Sequence, residues 1–83
     1  MMMFWPFVRN MLKYSELVVG SLYQPNYSNL LVMDFSGTIT EVSLPFFVLE
    51  KNPHEYKILL NGKIAYFYNC IHNSEICFIK LTK

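Results

Sequence analysis

The sequence predicts a small all-β protein whose strands form an incomplete antiparallel β-sandwich. Three observations support this class. Residues 55–68 alternate in hydrophobicity around an Asn-Gly turn signal. Aromatic residues make up 17% of the chain, and aromatic and β-branched side chains favour strands. The apolar runs between residues 17 and 49 are four to seven residues long and are separated by turn-forming residues, which is a length typical of strands.

The clearest element is a β-hairpin over Glu55–Tyr68. Its turn is Asn61-Gly62, because both residues of a type I′ turn need positive φ, which Asn and Gly tolerate best. Apolar residues alternate with others on both strands, at Tyr56, Ile58 and Leu60 and then at Ile64, Tyr66 and Tyr68. A period of two is typical of strands with two different faces.

The first strands are predicted from apolar runs and the turn residues between them. Residues 17–23 are predicted to be a strand with a bulge at Gly20, and the Pro, Asn and Ser content of residues 24–29 predicts a loop. Residues 30–35 form an apolar run of strand length, followed by a turn at Ser36-Gly37. Residues 38–44 are rich in β-branched side chains, and Pro45 places that strand at a sheet edge.

In residues 46–81, apolar runs and turn residues again predict strands and loops. Residues 46–49 are predicted to continue extended, and residues 51–54 form a loop that leads into the hairpin. The polar residues 69–74 predict a second loop. The last strand covers residues 75–81, with Cys77, Ile79 and Leu81 on one face and Ile76 and Phe78 on the other. Residues 15–83 therefore make up the predicted β domain.

The N-terminal residues 1–14 are predicted to be an apolar tail or to contain a short helix over Phe7–Tyr14, which would begin after Pro6. The apolar stretch Met1–Val8 is too short to span a bilayer. It also lacks the preceding positive charge of a signal peptide, because Arg9 follows it. We therefore expect a docking tail or the start of the fold, with no transmembrane span.

The composition argues against several classes of protein. Apolar residues make up 53% of the chain and charged residues 16%, which is unlike a disordered segment. The net charge is +1 and no run of Lys or Arg is present, so we expect no nucleic-acid partner. Two cysteines do not make a disulfide framework. This favours a reducing intracellular compartment, although the compartment stays unknown and non-classical secretion is an open alternative.

One group of residues has the composition of a metal site. Cys70, His72 and Cys77 lie within eight residues of each other. Zinc sites usually combine two pairs of ligands, and His54 would have to complete this one. A Cys70–Cys77 disulfide is sterically feasible. The plainer interpretation is a buried strand cysteine and a loop histidine, and we expect no metal site.

Asp34-Phe35-Ser36-Gly37-Thr38 follows an apolar strand and resembles the nucleophile motif of haloacid-dehalogenase-type phosphatases and P-type ATPases, in which the aspartate attacks phosphorus. The phosphatase motif has an acid where this chain has Ser36. A chain of 83 residues is also too short for the several βα units of that fold. We expect a β-turn with local hydrogen bonds from Asp34 and Ser36. No catalytic residue, enzyme activity or cofactor is predicted.

Two stretches of the sequence together resemble the galectins, the family of β-galactoside lectins. The first contains Gly20, the loop Pro25-Asn26, the apolar strand Leu30–Phe35, then Gly37 and Glu41–Leu44; the second runs from His54 to Ile71 through the Asn61-Gly62 turn. The resemblance covers about half of the chain. It implies a β-sandwich and a carbohydrate-binding module whose partners are β-galactoside glycans.

The residues with which galectins contact sugar have no counterparts here. Where the family has His-x-Asn-Pro-Arg, this chain has Leu44-Pro45-Phe46-Phe47-Val48, and Asn69-Cys70 replaces His-Arg before the closing Ile. The one tryptophan, Trp5, lies in the N-terminal segment. The carbohydrate-binding residues are therefore unknown. The resemblance implies a shortened member of the family, and whether it binds sugar is open.

Two functions follow from these observations. The first is a galectin-like carbohydrate-binding module. The alternative is a non-catalytic structural or protein-interaction subunit of a larger assembly. The middle strands of the family domain have no counterpart in the sequence, and a sheet without them exposes edges that pair with a protein partner or with a second copy. Folding buries about 9,000 Å², of which a little over half is apolar, and this yields about 125 kcal/mol. Conformational entropy offsets it almost fully at about 125 kcal/mol, so association would stabilise the fold.

Overall fold

A computed structural model of the chain describes residues 11–26 and 29–82. Their backbone forms eight strands, which are β1 (Met11–Leu12), β2 (Leu22–Asn26), β3 (Leu30–Met33), β4 (Ile39–Val42), β5 (Phe46–Lys51), β6 (Glu55–Leu60), β7 (Lys63–Tyr68) and β8 (Cys77–Lys80). A 3₁₀ turn lies at Tyr14–Glu16, and a single α-helical turn, α1, lies at Ile71–Ser74. No helix within the described ranges has the length and apolar character needed to cross a membrane.

All eight strands belong to one sheet with the order β1-β8-β2-β5-β6-β7-β3-β4. Every neighbouring pair is antiparallel, so the predicted all-β antiparallel class is confirmed. β6 and β7 form the predicted hairpin, and its turn residues Asn61 and Gly62 have φ of 52° and 78°. β4 lies at one end of the order. The edge position predicted from Pro45 is therefore confirmed.

The sheet folds over on itself, so that its two halves form the two layers around the core. Three strands separate β7 from β8 in the sheet order. In a flat sheet that separation would be about 19 Å, because neighbouring strands lie about 4.8 Å apart. The ring centroids of Phe67 on β7 and Phe78 on β8 are nevertheless 6.2 Å apart. The sandwich-like core is thus enclosed by one continuous sheet.

Aromatic side chains fill the centre of this core. Phe67 is fully buried, and its ring lies 5.0 Å from that of Tyr56, 5.2 Å from that of Phe46 and 5.5 Å from that of Tyr14. Ile76 and Phe78, which the sequence predicts to lie on the same face of the last strand, are both buried. Edge-to-face and stacked rings at these distances stabilise a core beyond the area they bury.

The second strand is shifted along the chain from its predicted position. Residues 17–21 lie outside β2, and Gly20 has a φ of 91°, which turns the chain. The predicted loop residues Gln24, Pro25 and Asn26 instead pair with β8. β5 pairs only with Leu22 and Tyr23 of β2. Pro25 therefore needs no amide proton on the side of β2 that faces β5, and the strand tolerates it.

The N-terminal helix prediction is wrong for the residues that the structure describes. Met11 and Leu12 form β1 against β8, and Tyr14 lies in the 3₁₀ turn and packs in the core. Residues 1–10, including Trp5 and the apolar stretch Met1–Val8, lie outside the described residues. In the predicted loop 69–74 the structure has α1.

The hydroxyl groups of Tyr14 and Tyr56 are expected to have opposite effects on stability. The Tyr14 hydroxyl is buried without a hydrogen-bond partner among the described residues, and burial, together with Tyr56, raises its pKa above the usual range for tyrosine. The Tyr56 hydroxyl donates to the Tyr14 carbonyl oxygen at 2.6 Å.

An unsatisfied buried hydroxyl destabilises, whereas a satisfied one contributes about 1 kcal/mol. We therefore expect Tyr14→Phe to raise the free energy of unfolding by about 1 kcal/mol and Tyr56→Phe to lower it by about as much. Urea unfolding of both variants beside the parent protein measures the two changes. A destabilised Tyr14→Phe protein would show that its hydroxyl has a partner.

Candidate binding surface

The turn between β3 and β4 is organised by Asp34. Its Oδ1 accepts hydrogen bonds from the Ser36 amide at 2.9 Å, the Ser36 hydroxyl at 2.6 Å and the Thr38 amide at 3.0 Å. Gly37, with a φ of 86°, supplies the left-handed residue that closes the turn. The hydrogen bond from the Ser36 hydroxyl is the largest cause that lowers the pKa of Asp34, and the bonds from the backbone amides lower it further. This carboxylate therefore has the turn-forming role that the sequence predicted.

The residues considered for a metal site do not converge. Cys70 and Cys77 are half-buried free thiols. The Nε2 of His72 lies 2.6 Å from the Asn29 carbonyl oxygen, to which it can donate a hydrogen bond. Within residues 11–26 and 29–82, no three metal-binding side chains come close enough to share an ion. His72 instead ties α1 to the start of β3.

A connected set of exposed and half-buried apolar side chains lies on the face of the sheet that points away from the core. We call it the outer apolar surface, and it consists of Met33, Phe35, Ile39, Tyr66 and Tyr68. Met33 pairs with both Ile39 and Tyr66 across neighbouring strands. The Phe35 ring lies 5.9 Å from the Tyr66 ring, and the Tyr68 hydroxyl lies 3.3 Å from the Met33 sulfur. Phe35 is 75% exposed and Ile39 is 59% exposed.

Alternation along the strands places these side chains outside the core. On β3, Leu30 and Val32 are buried while Leu31 and Met33 are only half-buried. On β7, Ala65 and Phe67 are buried while Tyr66 and Tyr68 point outward. This surface was not predicted from the sequence. The sequence does carry a signal for it: β3 and most of β7 are apolar at every position, so both faces of these strands are apolar.

Two depressions border the outer apolar surface. An open groove of about 440 Å³ lies between the tips of the β3–β4 and β6–β7 hairpins, and it is lined by Asp34, Phe35, Ser36, Lys63 and Ile64. A smaller depression of about 220 Å³ lies where β3 and β7 separate, and it is lined by Leu31, Val32, Met33, Ile39, Tyr68, Cys70 and Asn73. Each could receive an apolar side chain of a partner.

The outer apolar surface reaches the free edge of β4. Among the described residues, β4 has β3 as its one neighbour in the sheet, and its residues Ile39, Thr40 and Glu41 are exposed. β4 is short and carries the charge of Glu41, which are two of the features that protect sheet edges. It has no Pro or Lys, and the β3–β4 register has no bulge.

The backbone groups that face this free edge can be identified. The amide and carbonyl of Leu31 bond to the side chain of Asn73, which also bonds the Tyr68 carbonyl on the β7 side. Leu31 and its partner Glu41 are therefore a non-hydrogen-bonded pair, and the amide and carbonyl of Glu41 point away from β3. Because this orientation repeats every second residue, the amide and carbonyl of Ile39 also point to the free edge.

The comparisons with known proteins do not assign a family. No protein-family model, curated protein or solved structure matches the chain. The resemblance to galectins thus stays a prediction. In the stretch that would correspond to the sugar-binding strand, Phe46 and Val48 are buried in the core, so their side chains cannot contact a ligand on the surface.

Proposed function

We propose that this protein is a non-catalytic protein-interaction module that binds an extended partner segment along β4. The observation that carries the proposal is the free edge of β4 beside the outer apolar surface. Ile39 and Glu41 offer two amides and two carbonyls to a new strand. Strand addition at a sheet edge obtains affinity from such main-chain bonds and specificity from alternate side chains.

The side chains of β4 define what the partner segment should contain. Ile39 and Glu41 lie on the outer face, because they pair with Met33 and Leu31. A partner residue opposite Ile39 would lie against the outer apolar surface and should be apolar. A residue opposite Glu41 should be basic, since opposite charges facing each other across strands stabilise the pair. In an antiparallel segment this gives the order basic-x-apolar, with a small polar residue between them opposite Thr40.

Binding of short labelled peptides to the intact protein tests the proposal. The probe is a fluorescein-labelled Thr-Thr-Lys-Thr-Leu-Thr-Thr peptide, and the matched control exchanges the Lys and Leu. We expect the probe to bind about two- to thirty-fold more tightly than the control, since the exchange disrupts two cross-strand pairs and each contributes about 0.2–1 kcal/mol. N-methylation of the Lys and Leu amides should weaken binding at least about ten-fold, because two main-chain hydrogen bonds are lost.

Two protein variants make this experiment specific to β4. Glu41→Lys should reverse the charge preference, so that a peptide with Glu in place of Lys binds better. Ile39→Thr should remove the advantage of Leu while leaving the main-chain bonds intact. Equal binding of the N-methylated peptide, or the same preference in Glu41→Lys, would show that the partner segment does not pair with β4.

Carbohydrate binding is the second candidate, and the position of Phe35 favours it. The exposed ring of Phe35 lines the open groove together with Asp34 and Lys63. An aromatic face beside charged groups could stack against the apolar side of a sugar while those groups bond its hydroxyls. Thermal melting with a panel of β-galactosides tests this, because a ligand at 100 times its Kd stabilises by about 2.7 kcal/mol. A melt that no sugar shifts, or that shifts equally in Phe35→Ala, would contradict it.

A further inference from the structure

We infer that the edge of β4 also pairs with the β4 edge of a second copy, in an antiparallel register centred on Thr40. The inference rests on the proposed function, because it names one strand that occupies the same edge. It follows from three properties of β4: the face on which each side chain lies, the backbone groups that point outward, and the charges of the strand.

The faces limit the registers that two copies can adopt. For the two sheets to join, outer-face residues must lie opposite outer-face residues, as a period of two requires. Ile39 and Glu41 are on the outer face and Thr40 and Val42 are on the inner face. A two-fold symmetric pair can therefore be centred on any of these four residues, with that residue opposite its own copy. Centring on Val42 would place Ile39 opposite Pro45, which has no amide proton to donate.

Hydrogen bonding and charge select the register centred on Thr40. Centring on Glu41 would place two carboxylates opposite each other, which destabilises a strand pair. Centring on Ile39 would place Glu41 opposite Gly37, whose amide already bonds the Asp34 carbonyl at 3.0 Å. Centring on Thr40 places each Ile39 opposite Glu41 of the other copy, so that all the outward amides and carbonyls of both strands are paired.

The Thr40-centred register has further favourable features. It brings the two threonines face to face, and Thr–Thr pairs stabilise neighbouring strands. The Glu41 carboxylate is bonded by the Asn29 side chain of its own chain at 3.3 Å. The two outer apolar surfaces would also lie on the same face of one continuous sheet, on either side of the symmetry axis.

Self-association should be weak and should compete with a partner. A four-residue edge is about 13 Å long, which is too short for the area of a standard stable interface. A second copy also places Glu41 opposite Ile39, where a partner segment with the basic-x-apolar order would place an apolar residue. Such a partner should therefore displace the second copy, so that binding and self-association are mutually exclusive.

Disulfide trapping tests the register. In the Thr40-centred pair the two Thr40 Cα atoms are non-hydrogen-bonded neighbours about 4.5 Å apart, within the range that a disulfide bridges. The two Glu41 Cα atoms are about 9 Å apart in the same register, beyond that range. In a background in which Cys70 and Cys77 are replaced by serine, we expect Thr40→Cys to form covalent dimers at least ten-fold faster than Glu41→Cys or Ile39→Cys.

Two results of the trapping experiment would overturn the inference. Faster trapping of Ile39→Cys or Glu41→Cys would show another register, and equal rates at the three positions would show random collision.

Sedimentation equilibrium of the full chain provides an independent measurement. Ile39→Pro removes an outward amide without removing a bond to β3, and should weaken dimerisation at least ten-fold, whereas Ile39→Thr keeps the amide and should retain it. A chain that is monomeric at millimolar concentration contradicts the inference, and peptide binding in the same sample shows whether the proposed function survives.

Discussion

Replacing Phe67 with alanine is expected to lower the free energy of unfolding by about 3–5 kcal/mol, the typical result of truncating a buried aromatic residue. A domain of 83 residues has a total stability of about 4–12 kcal/mol. The substitution should therefore leave a substantial unfolded fraction or unfold the protein completely. Urea unfolding followed by circular dichroism measures the change.

The size of this effect follows from the position of Phe67 between the two layers of the folded sheet. Its ring contacts Tyr56 on the neighbouring strand β6, and it also contacts Phe78 on β8 from the opposite layer. A cavity at this point removes contacts from both layers, and neither layer can close it by a local shift. Phe67→Leu retains most of the volume and should lose less stability than Phe67→Ala.

Phe35→Ala is the matched control for this substitution. It removes the same atoms from a side chain that is 75% exposed, so stability should change by about 0.5 kcal/mol or less. If Phe35→Ala and Phe67→Ala were equally destabilised, the sheet would not fold over in the way described. The control variant also serves the sugar-binding test, because it removes an exposed ring while keeping the fold.

The elements that the sequence predicted well are those specified by local chemistry. The β6–β7 hairpin follows from Asn61-Gly62, because few other residues adopt positive φ at both turn positions. The role of Asp34 in the β3–β4 turn follows from the short reach of its carboxylate to nearby amides. The burial of Phe78 beside Ile76 follows from the strand period. None of these depends on distant parts of the chain.

The features that the sequence did not predict depend on partners far away in the chain. Gln24, Pro25 and Asn26 have the composition of a loop, and they are a strand because Cys77, Phe78 and Ile79 lie beside them. The folding over of the sheet requires Phe67 to meet Phe78, and no local signal records that contact. The candidate binding surface was missed for a similar reason, since its members come from β3, β4, β7 and the β3–β4 turn.

Asn73 is the clearest example of a residue whose role cannot be predicted from its neighbours in sequence. It lies in a polar stretch typical of a loop, yet its side chain is fully buried. Its amide oxygen accepts from the Leu31 amide at 3.0 Å, and its Nδ2 donates to the Leu31 carbonyl at 3.1 Å and to the Tyr68 carbonyl at 3.0 Å. Since β3 pairs with β7 only at Met33 and Tyr66, the amide of Asn73 replaces the next strand pair.

We expect Asn73→Ala to lower the free energy of unfolding by about 2–4 kcal/mol, because three partly buried hydrogen bonds to the backbone of Leu31 and Tyr68 are lost. Asn73→Asp should cost about 3–5 kcal/mol at pH 7, since it keeps the shape but places a charge against two carbonyl oxygens. Asn69→Asp is the control, because it makes the same change at an exposed position nearby. Its stability should change by about 0.5 kcal/mol or less.

The pH dependence of Asn73→Asp separates lost hydrogen bonds from buried charge. Burial and the carbonyl oxygens should raise the pKa of the new carboxyl in the folded state above its unfolded value of about 3.9. A raised folded pKa means that the protonated form is favoured in the folded state. Relative to the parent protein, the variant should therefore be most stable below about pH 4. It should lose that stability as the pH rises through the folded pKa. When it is protonated, the new carboxyl can also donate one of the two lost hydrogen bonds.

Thermal melts of Asn73→Asp, Asn73→Ala and the parent protein between pH 3.5 and pH 8 measure this dependence. Asn73→Ala carries no titratable group at this position, so its difference from the parent should stay constant over the same range. If the difference between Asn73→Asp and the parent did not grow with pH, the side chain at position 73 would be exposed to water. The link between β3 and β7 would then have to come from other residues.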